Sequence, residues 1–414
     1  MSLLLLFFAL LFFAFYYYYT RDVLNPCSSF LFIWYLTSSI SSIDYNDFMA
    51  PWSSEMFLVV IVSGISFWIG SLFFLNKVST KCLTISEVSS TYTIIIRLLF
   101  VICFGTTIVE WLNGGGQISL FVSNINGDVK SQMDGDIPGI HYGTIFFPYI
   151  AVLTYFRYIN SEKKQFLDLL IILIVVSTSL LFKMSRGDMM IYIFSFLFIY
   201  TRYYKINFRK IIFILAIFIT VVVGGMLLRV SSGSIVMNTT SNPYFSIFYS
   251  YIATCYANLN DFINQNNSYH FLGNATFAPF WTLIGMKEHF QVVSTTQLNM
   301  FNAVPYVYGF YHDYKYLGIV FFPFTLGVVI SVFYFNASFG RNYWILMIAV
   351  LQKAIFNSFF GNYFSGELVN LFPYIVIFFL VLFVMNYRFV VPVVEFKINN
   401  KKNNFNGNYT TNIN

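Results

Sequence analysis

Charge is what this sequence has least of: 10% of its 414 residues are Asp, Glu, Lys or Arg, where a soluble globular chain carries about 25%. With 58% hydrophobic residues, so little charge could not keep the surface wetted, which excludes a soluble fold. Cysteine is scarce too, at Cys27, Cys82, Cys103 and Cys255. Only Cys255 falls on the outward side of the topology below, so no disulfide within the chain is expected. All four read as small core hydrophobes. The histidines, His141, His270, His289 and His312, form no i, i+4 pair, and no Cys-x-x-Cys accompanies them, so a metal site is not expected. No glycine-rich phosphate loop precedes a helix, which argues against nucleotide-driven work. No cofactor is expected.

What the chain does have is long apolar runs. Runs of about 20 residues suffice to cross a hydrocarbon core of about 30 Å, and the runs are continuous rather than alternating, which excludes a β-barrel. The fold class is therefore all-α, a polytopic integral membrane protein. About eleven transmembrane helices are expected, at 2–19, 27–43, 56–75, 92–112, 140–159, 166–182, 188–204, 208–228, 316–335, 342–360 and 368–387. The second is short and serine-rich. No basic residue precedes the first run and no small-residue cleavage pattern follows it, so it is read as a span and not a signal peptide. Residues 1–390 form one transmembrane domain that includes a large loop at 229–315, and the low-complexity 391–414 reads as a disordered tail.

Taking alternate sides, fifteen Lys and Arg fall on one face of the membrane and six on the other, with Arg97 and Lys353 inside spans. The fifteen mark the cytoplasmic side, so the N-terminus is outside and the C-terminus inside. The net charge of +6 thus reports orientation and not a nucleic-acid partner. Internal repeats of the kind many transporters show are not apparent.

The outer loop 229–315 draws most of the chain's polar chemistry. Asn242-Pro243 reads as a helix start. After it, Phe248, Tyr251, Ile252, Cys255, Tyr256, Leu259, Phe262 and Ile263 alternate at helical spacing with Ser250, Thr254, Asn258, Asp261 and Gln265. That is an amphipathic helix, lying along the membrane–water boundary or packed across the outer mouth of the bundle. The apolar patch 277–286, with Pro279 and Trp281, is half a span long and reads as re-entrant or interfacial. Together they suggest a vestibule that a lipid-borne substrate enters from the side.

Candidate site residues follow from charge at membrane depth. Lys183 to Asp188 make a short outer turn in which Arg186 precedes Gly187, and Arg229 sits where the eighth span exits. Arginine offers a planar fork of donors suited to diphosphate; the alternative is snorkelling to headgroups. Arg97, near the inner end of its span, reads as snorkelling. Lys353 lies within a span, on one face with Asn357 and Gly361, and is oriented inward. His312 or Asp313 could accept a proton from a sugar hydroxyl, or belong to an interfacial aromatic belt. His289, Glu288, Lys183 and Glu110 are secondary candidates.

Several stretches carry a family likeness: the Ser185-Arg186-Gly187-Asp188 turn, Leu272-Gly273-Asn274-Ala275-Thr276-Phe277-Ala278-Pro279, and Tyr311-His312-Asp313-Tyr314-Lys315-Tyr316-Leu317-Gly318. With the span layout, they resemble the bacterial O-antigen polymerases of the Wzy type. No arginine here has a glycine eleven positions on, so the Arg-x10-Gly spacing of some members is absent. The resemblance implies a metal-independent GT-C-like glycosyltransferase of the inner membrane that joins undecaprenyl-diphosphate-linked oligosaccharides on the periplasmic face. Arg186, Arg229 and Lys353 would hold the diphosphate, and His312 or Asp313 would activate the acceptor. Membrane lipids, a polysaccharide chain-length regulator and a flippase would be its partners. A lipid-linked oligosaccharide flippase and an O-antigen ligase are the competing readings.

Overall fold

The computed structural model describes residues 1–43, 45, 49–75, 88–116, 137, 139–162, 164–179, 181, 186–204, 243–265, 272–286, 303–338 and 343–385, with Arg186 described by its backbone alone. The expected span at 208–228, Lys183, Arg229, His270, Glu288, His289, Cys82 and the tail 391–414 lie outside the described residues. Every regular element among those described is a helix. They are α1 (Ser2–Thr20), α2 (Pro26–Ser41), α3 (Ser54–Leu72), α4 (Ser90–Asn113), α5 (His141–Ile159), α6 (Phe166–Thr178), α7 (Arg186–Tyr203), α8 (Pro243–Asn264), α9 (Ala278–Leu283), α10 (Tyr308–Ser338), α11 (Trp344–Phe356) and α12 (Leu368–Met385). Ten of them match expected spans. Four, α1, α3, α4 and α10, are long and apolar enough to cross a membrane. At 13 residues, α11 is only about 20 Å long.

Short polar residues start several of these helices. Asn25 Oδ1 accepts the N–H groups of Cys27 and Ser28 ahead of Pro26 at the first helical position, and Ser53 and Ser89 do the same for Met56 and Tyr92. Such caps satisfy donors that a helix start leaves open. The serine-rich α2 satisfies its hydroxyls by turning them back onto its own carbonyls, as Thr37 does to Ile33 at 2.7 Å and Ser38 to Trp34 at 2.7 Å. Its other polar contacts tie it to α3, through Trp34 and Tyr35, to α1, through Ser39, and to α8, through Thr37 and Tyr256 at 2.8 Å.

Helix directions alternate as the span order requires. Tyr16 bonds Ser71, joining the finishes of α1 and α3. Asp22 accepts from Arg202 and Tyr334, each at 2.6 Å, which brings the finishes of α7 and α10 to the same end. The Tyr343 hydroxyl accepts from Ser89 N–H, so α11 and α4 start there. Arg157, near the finish of α5, reaches Thr93 of α4 at 2.8 Å and pairs with Asp168 of α6. In sequence, Arg157 and Arg202 count as loop cations that report orientation. In the fold they are partly or fully buried partners in ion pairs. Their aspartates lie 11 and 180 residues away, and no local pattern announces such pairs.

Inside a membrane, helices gain little from hydrophobicity and associate by close packing through small residues. The most extensive helix pair, α3 with α10, does so through two glycines. A Cβ on Gly70 would lie 2.0 Å from Phe324 O, and one on Gly327 would lie 2.2 Å from Phe67 O. Backbone therefore rests on backbone. Gly327→Ala is expected to lower stability by about 1–3 kcal/mol or more, as overpacking does. Gly105→Ala, where nothing lies within 4 Å, should be neutral or slightly stabilising. Thermal unfolding of the two purified variants checks the contrast, and equal midpoints would contradict the close-contact reading.

Candidate functional site

At the end of the bundle opposite the Arg202–Asp22 pair, α10 breaks. Lys315 has φ 50° and ψ −129°, a left-handed conformation rare for a side-chain-bearing residue, at a cost of about 1–3 kcal/mol. The break separates a short first segment, which carries His312 and Asp313, from the apolar helix expected at 316–335. A Cβ on Gly318 would lie 2.0 Å from Phe310 O, so the chain can fold back this tightly only with glycine there.

Asp313 is fully buried and His312 is 8% exposed. Neighbours on a helix point about 100° apart, yet here the two side chains meet, with Nδ1 of His312 2.7 Å from Oδ1 of Asp313. The carboxylate also accepts the N–H groups of Ala275 at 3.0 Å and Thr276 at 2.6 Å. Saturated in this way, Asp313 is an anchor and orienting group rather than a base. Its grip on Nδ1–H leaves Nε2 of His312 as the imidazole's acceptor nitrogen. Two stretches that are distant in sequence, Leu272 to Pro279 and Tyr311 to Gly318, are thus held together. Gly273 is required between them: its φ is 69°, and a Cβ would lie 2.5 Å from the Tyr314 hydroxyl oxygen.

Around this pair lie groups with no motif to mark them. Glu55, in the first turn of α3, accepts from Tyr311 at 2.6 Å and Tyr316 at 2.9 Å. Lys315 Nζ lies 4.9 Å from the centre of the Tyr311 ring and 5.3 Å from that of Phe262, while the same Phe262 stacks on His312 at 5.3 Å. A cation, an imidazole and two carboxylates therefore share one aromatic cluster.

Phe262 belongs to α8, and of the two placements expected for that helix the packed one is found. Ser250, Thr254 and Asn258 of its polar side are buried, while Asp261 is part-buried and Gln265 and Phe248 are exposed. Asn258 donates to Ala303 O at 3.0 Å, and Asn260 both accepts from Ser53 and donates to Pro51 O. The helix is packed into the mouth rather than lying on the boundary. Cys255 is buried there too. Beside it, the 277–286 patch forms the six-residue α9, whose Phe280, Leu283 and Ile284 are exposed while Phe277 packs on Phe322 of α10.

Lys353 faces inward, as its spacing implies, but the helix does not continue to Gly361. α11 ends at Phe356 with Asn357 as its cap. Lys353 sits in the last turn, where a cation suits the helix dipole, and its Nζ lies 5.2 Å from the centre of the Tyr363 ring. Arg186 and Gly187 are helical, not part of a turn: α7 starts at Arg186, two residues before Asp188. The two parts of the site are linked by Tyr306 N–H, which donates to Ser358 O at 2.9 Å. Glu110 is buried against His141, at 3.1 Å. Among the described residues, no three His, Cys, Asp or Glu side chains converge as metal ligands would.

No protein-family model, curated protein or solved structure matches the chain.

Two outcomes follow. Asp313→Ala leaves two amide donors and an imidazole without their acceptor, so a loss of about 3 kcal/mol is expected, with hydrogen-exchange protection lost at Ala275 and Thr276. Protection unchanged at those amides would refute the clasp. Burial raises the Asp261 carboxyl above its ordinary value, so ionising it opposes folding. That penalty is absent below the ordinary aspartate value, grows as pH rises from there, and is complete above the raised value. Asp261→Asn should therefore stabilise the protein at neutral pH and lose that advantage in acid, as thermal unfolding against pH will show.

Proposed function

We propose that the chain is a Wzy-type O-antigen polymerase, a glycosyltransferase that joins undecaprenyl-diphosphate-linked oligosaccharide units. On this reading it crosses the bacterial inner membrane about eleven times, with its N-terminus periplasmic, its C-terminus cytoplasmic and the end bearing His312 in the periplasm. The observation that carries the proposal is the buried His312–Asp313 pair set among Lys315, Glu55 and aromatic rings at one end of an apolar helical bundle.

The chemistry needs little more than these groups. An acceptor sugar hydroxyl attacks the anomeric carbon of the donor, the bond from that carbon to the diphosphate oxygen breaks, and its electron pair leaves with undecaprenyl diphosphate. Nε2 of His312 takes the hydroxyl proton, and Asp313 holds the ring and stabilises the imidazolium. Negative charge grows on the leaving diphosphate, where fixed cations count most in a site shielded from water. Lys353 and Lys315 supply that charge here, together with Arg186 and Arg229 from the sequence. Glu55 and the tyrosines around it suit sugar hydroxyls. The sugar–phosphate bond is already activated, so no cofactor enters the scheme. A chain-length regulator and a flippase would be its working partners.

One observation favours a different class. Lys353 lies inside the bundle over the Tyr363 ring, and a lipid-linked oligosaccharide flippase would also place cations there. An O-antigen ligase would grip the same donor.

Deleting the gene in its native strain and running lipopolysaccharide on gels separates the three. Polymerase loss leaves core carrying a single repeat unit, whereas complete loss of attached repeats points to flippase or ligase. His312→Ala and Arg186→Ala, at normal protein levels, should give the single-repeat pattern with ladders reduced at least a hundredfold, as expected for loss of a general base. Wild-type ladders from His312→Ala would remove it from the mechanism.

A further inference from the structure

At the end of the bundle away from His312, Arg97 lies on an outward-facing surface, and among the described residues no ion pair holds it. Only 22% of the apolar window of α4 is buried, and Ile94, Leu98 and Val101 form an exposed stripe along it. Arg97 falls on that stripe, three residues after Ile94 and four before Val101. It is seven residues from the helix start, about 10 Å along the axis. α6 presents a matching exposed face through Phe166, Leu169 and Leu173. Both helices pack on the buried α5 between them.

The two faces are bridged by Arg97 Nη2, which donates to Gln165 Oε1 at 2.7 Å. That partner is neutral. Asp168, the nearby carboxylate, is already paired with Arg157. Lys164 spends its ammonium on the carbonyls of Tyr158 and Ile159, at 2.6 and 3.0 Å, capping α5. Among the described residues, Arg97, Arg157 and Lys164 stand against the carboxylates of Asp168 and Glu162, which leaves one positive charge in excess. The Nε of Arg97 is buried, so the terminal Nη edge is what a ligand can meet. A charge facing hydrocarbon is costly unless an anion joins it, and basic pockets between helices at this level suit anionic headgroups.

We propose that this crevice is a binding site for an anionic phospholipid. The phosphodiester sits on the Nη edge of Arg97, and the acyl chains run between the exposed stripes of α4 and α6. A guanidinium can hold two phosphate oxygens side by side while keeping its bond to Gln165. The site requires only that the chain lies in a bilayer and is independent of the polymerase reading.

The test uses the full chain purified in detergent, offered equal phosphatidylglycerol and phosphatidylcholine, with retained lipid counted by native mass spectrometry. The wild type should retain phosphatidylglycerol at least fivefold over phosphatidylcholine. Arg97→Gln should abolish that preference, and Arg97→Lys should keep part of it. Equal retention by the wild type, an undiminished preference in Arg97→Gln, or displacement by millimolar inorganic phosphate would each overturn the proposal. If Arg97→Gln does not accumulate, Gln165→Glu gives Arg97 a built-in anion. It should lose the preference too, and an unchanged preference there would equally overturn the site. None of these readouts depends on lipopolysaccharide ladders, so the site and the proposed activity can fail separately.

Discussion

The Asp313 carboxylate takes hydrogen bonds from the amides of Ala275 and Thr276 and from the His312 imidazole, and much of that end of the bundle is arranged around this set of contacts. It sits on the short first segment of α10, so the grip on the 272–286 stretch and the orientation of His312 come from one group. Because the group is fully buried, the loss of any one donor leaves charge or dipole uncompensated where water cannot replace it. The break at Lys315 follows from the same geometry. A straight α10 would carry Tyr311 and His312 up the axis, away from Glu55 and Phe262. The bent one turns them into the cluster.

Glycine and short polar residues let the helices approach closely enough for this to work. Gly70 and Gly327 put α3 and α10 in backbone contact, which fixes Glu55 of α3 relative to Tyr316 of α10. α8 closes the other side with Phe262. Its buried serine, threonine and asparagines are affordable only because neighbouring backbone and side-chain groups satisfy them.

The helices were readable from composition and run length, because a bilayer imposes one dimension on every span. Pro243 as a helix start and the inward face of Lys353 were readable as well. Other features depend on partners far along the chain. Glu55 is an ordinary acidic residue after a serine cap until Tyr311 and Tyr316, more than 250 positions later, bond to it. The polar side of α8 has the pattern of a wetted surface, and only its neighbours show that it is enclosed. The kink at Lys315 falls on a residue with no intrinsic tendency to break a helix, and the glycine that permits it, Gly318 against Phe310 O, lies three residues on.

The ion pair between Asp22 and Arg202 also sets a timetable. The two residues are 180 positions apart, and at roughly 5–20 residues per second a ribosome needs about 9–36 s to travel that far. For that interval α1 to α6 are made with Asp22 still waiting for its counter-ion. The arrival of α7 removes that carboxylate from water and ties the first hairpin to the seventh helix. Tyr334 of α10 then adds its hydroxyl to the same oxygen. Assembly of the bundle thus has a late fastening step written into its earliest loop.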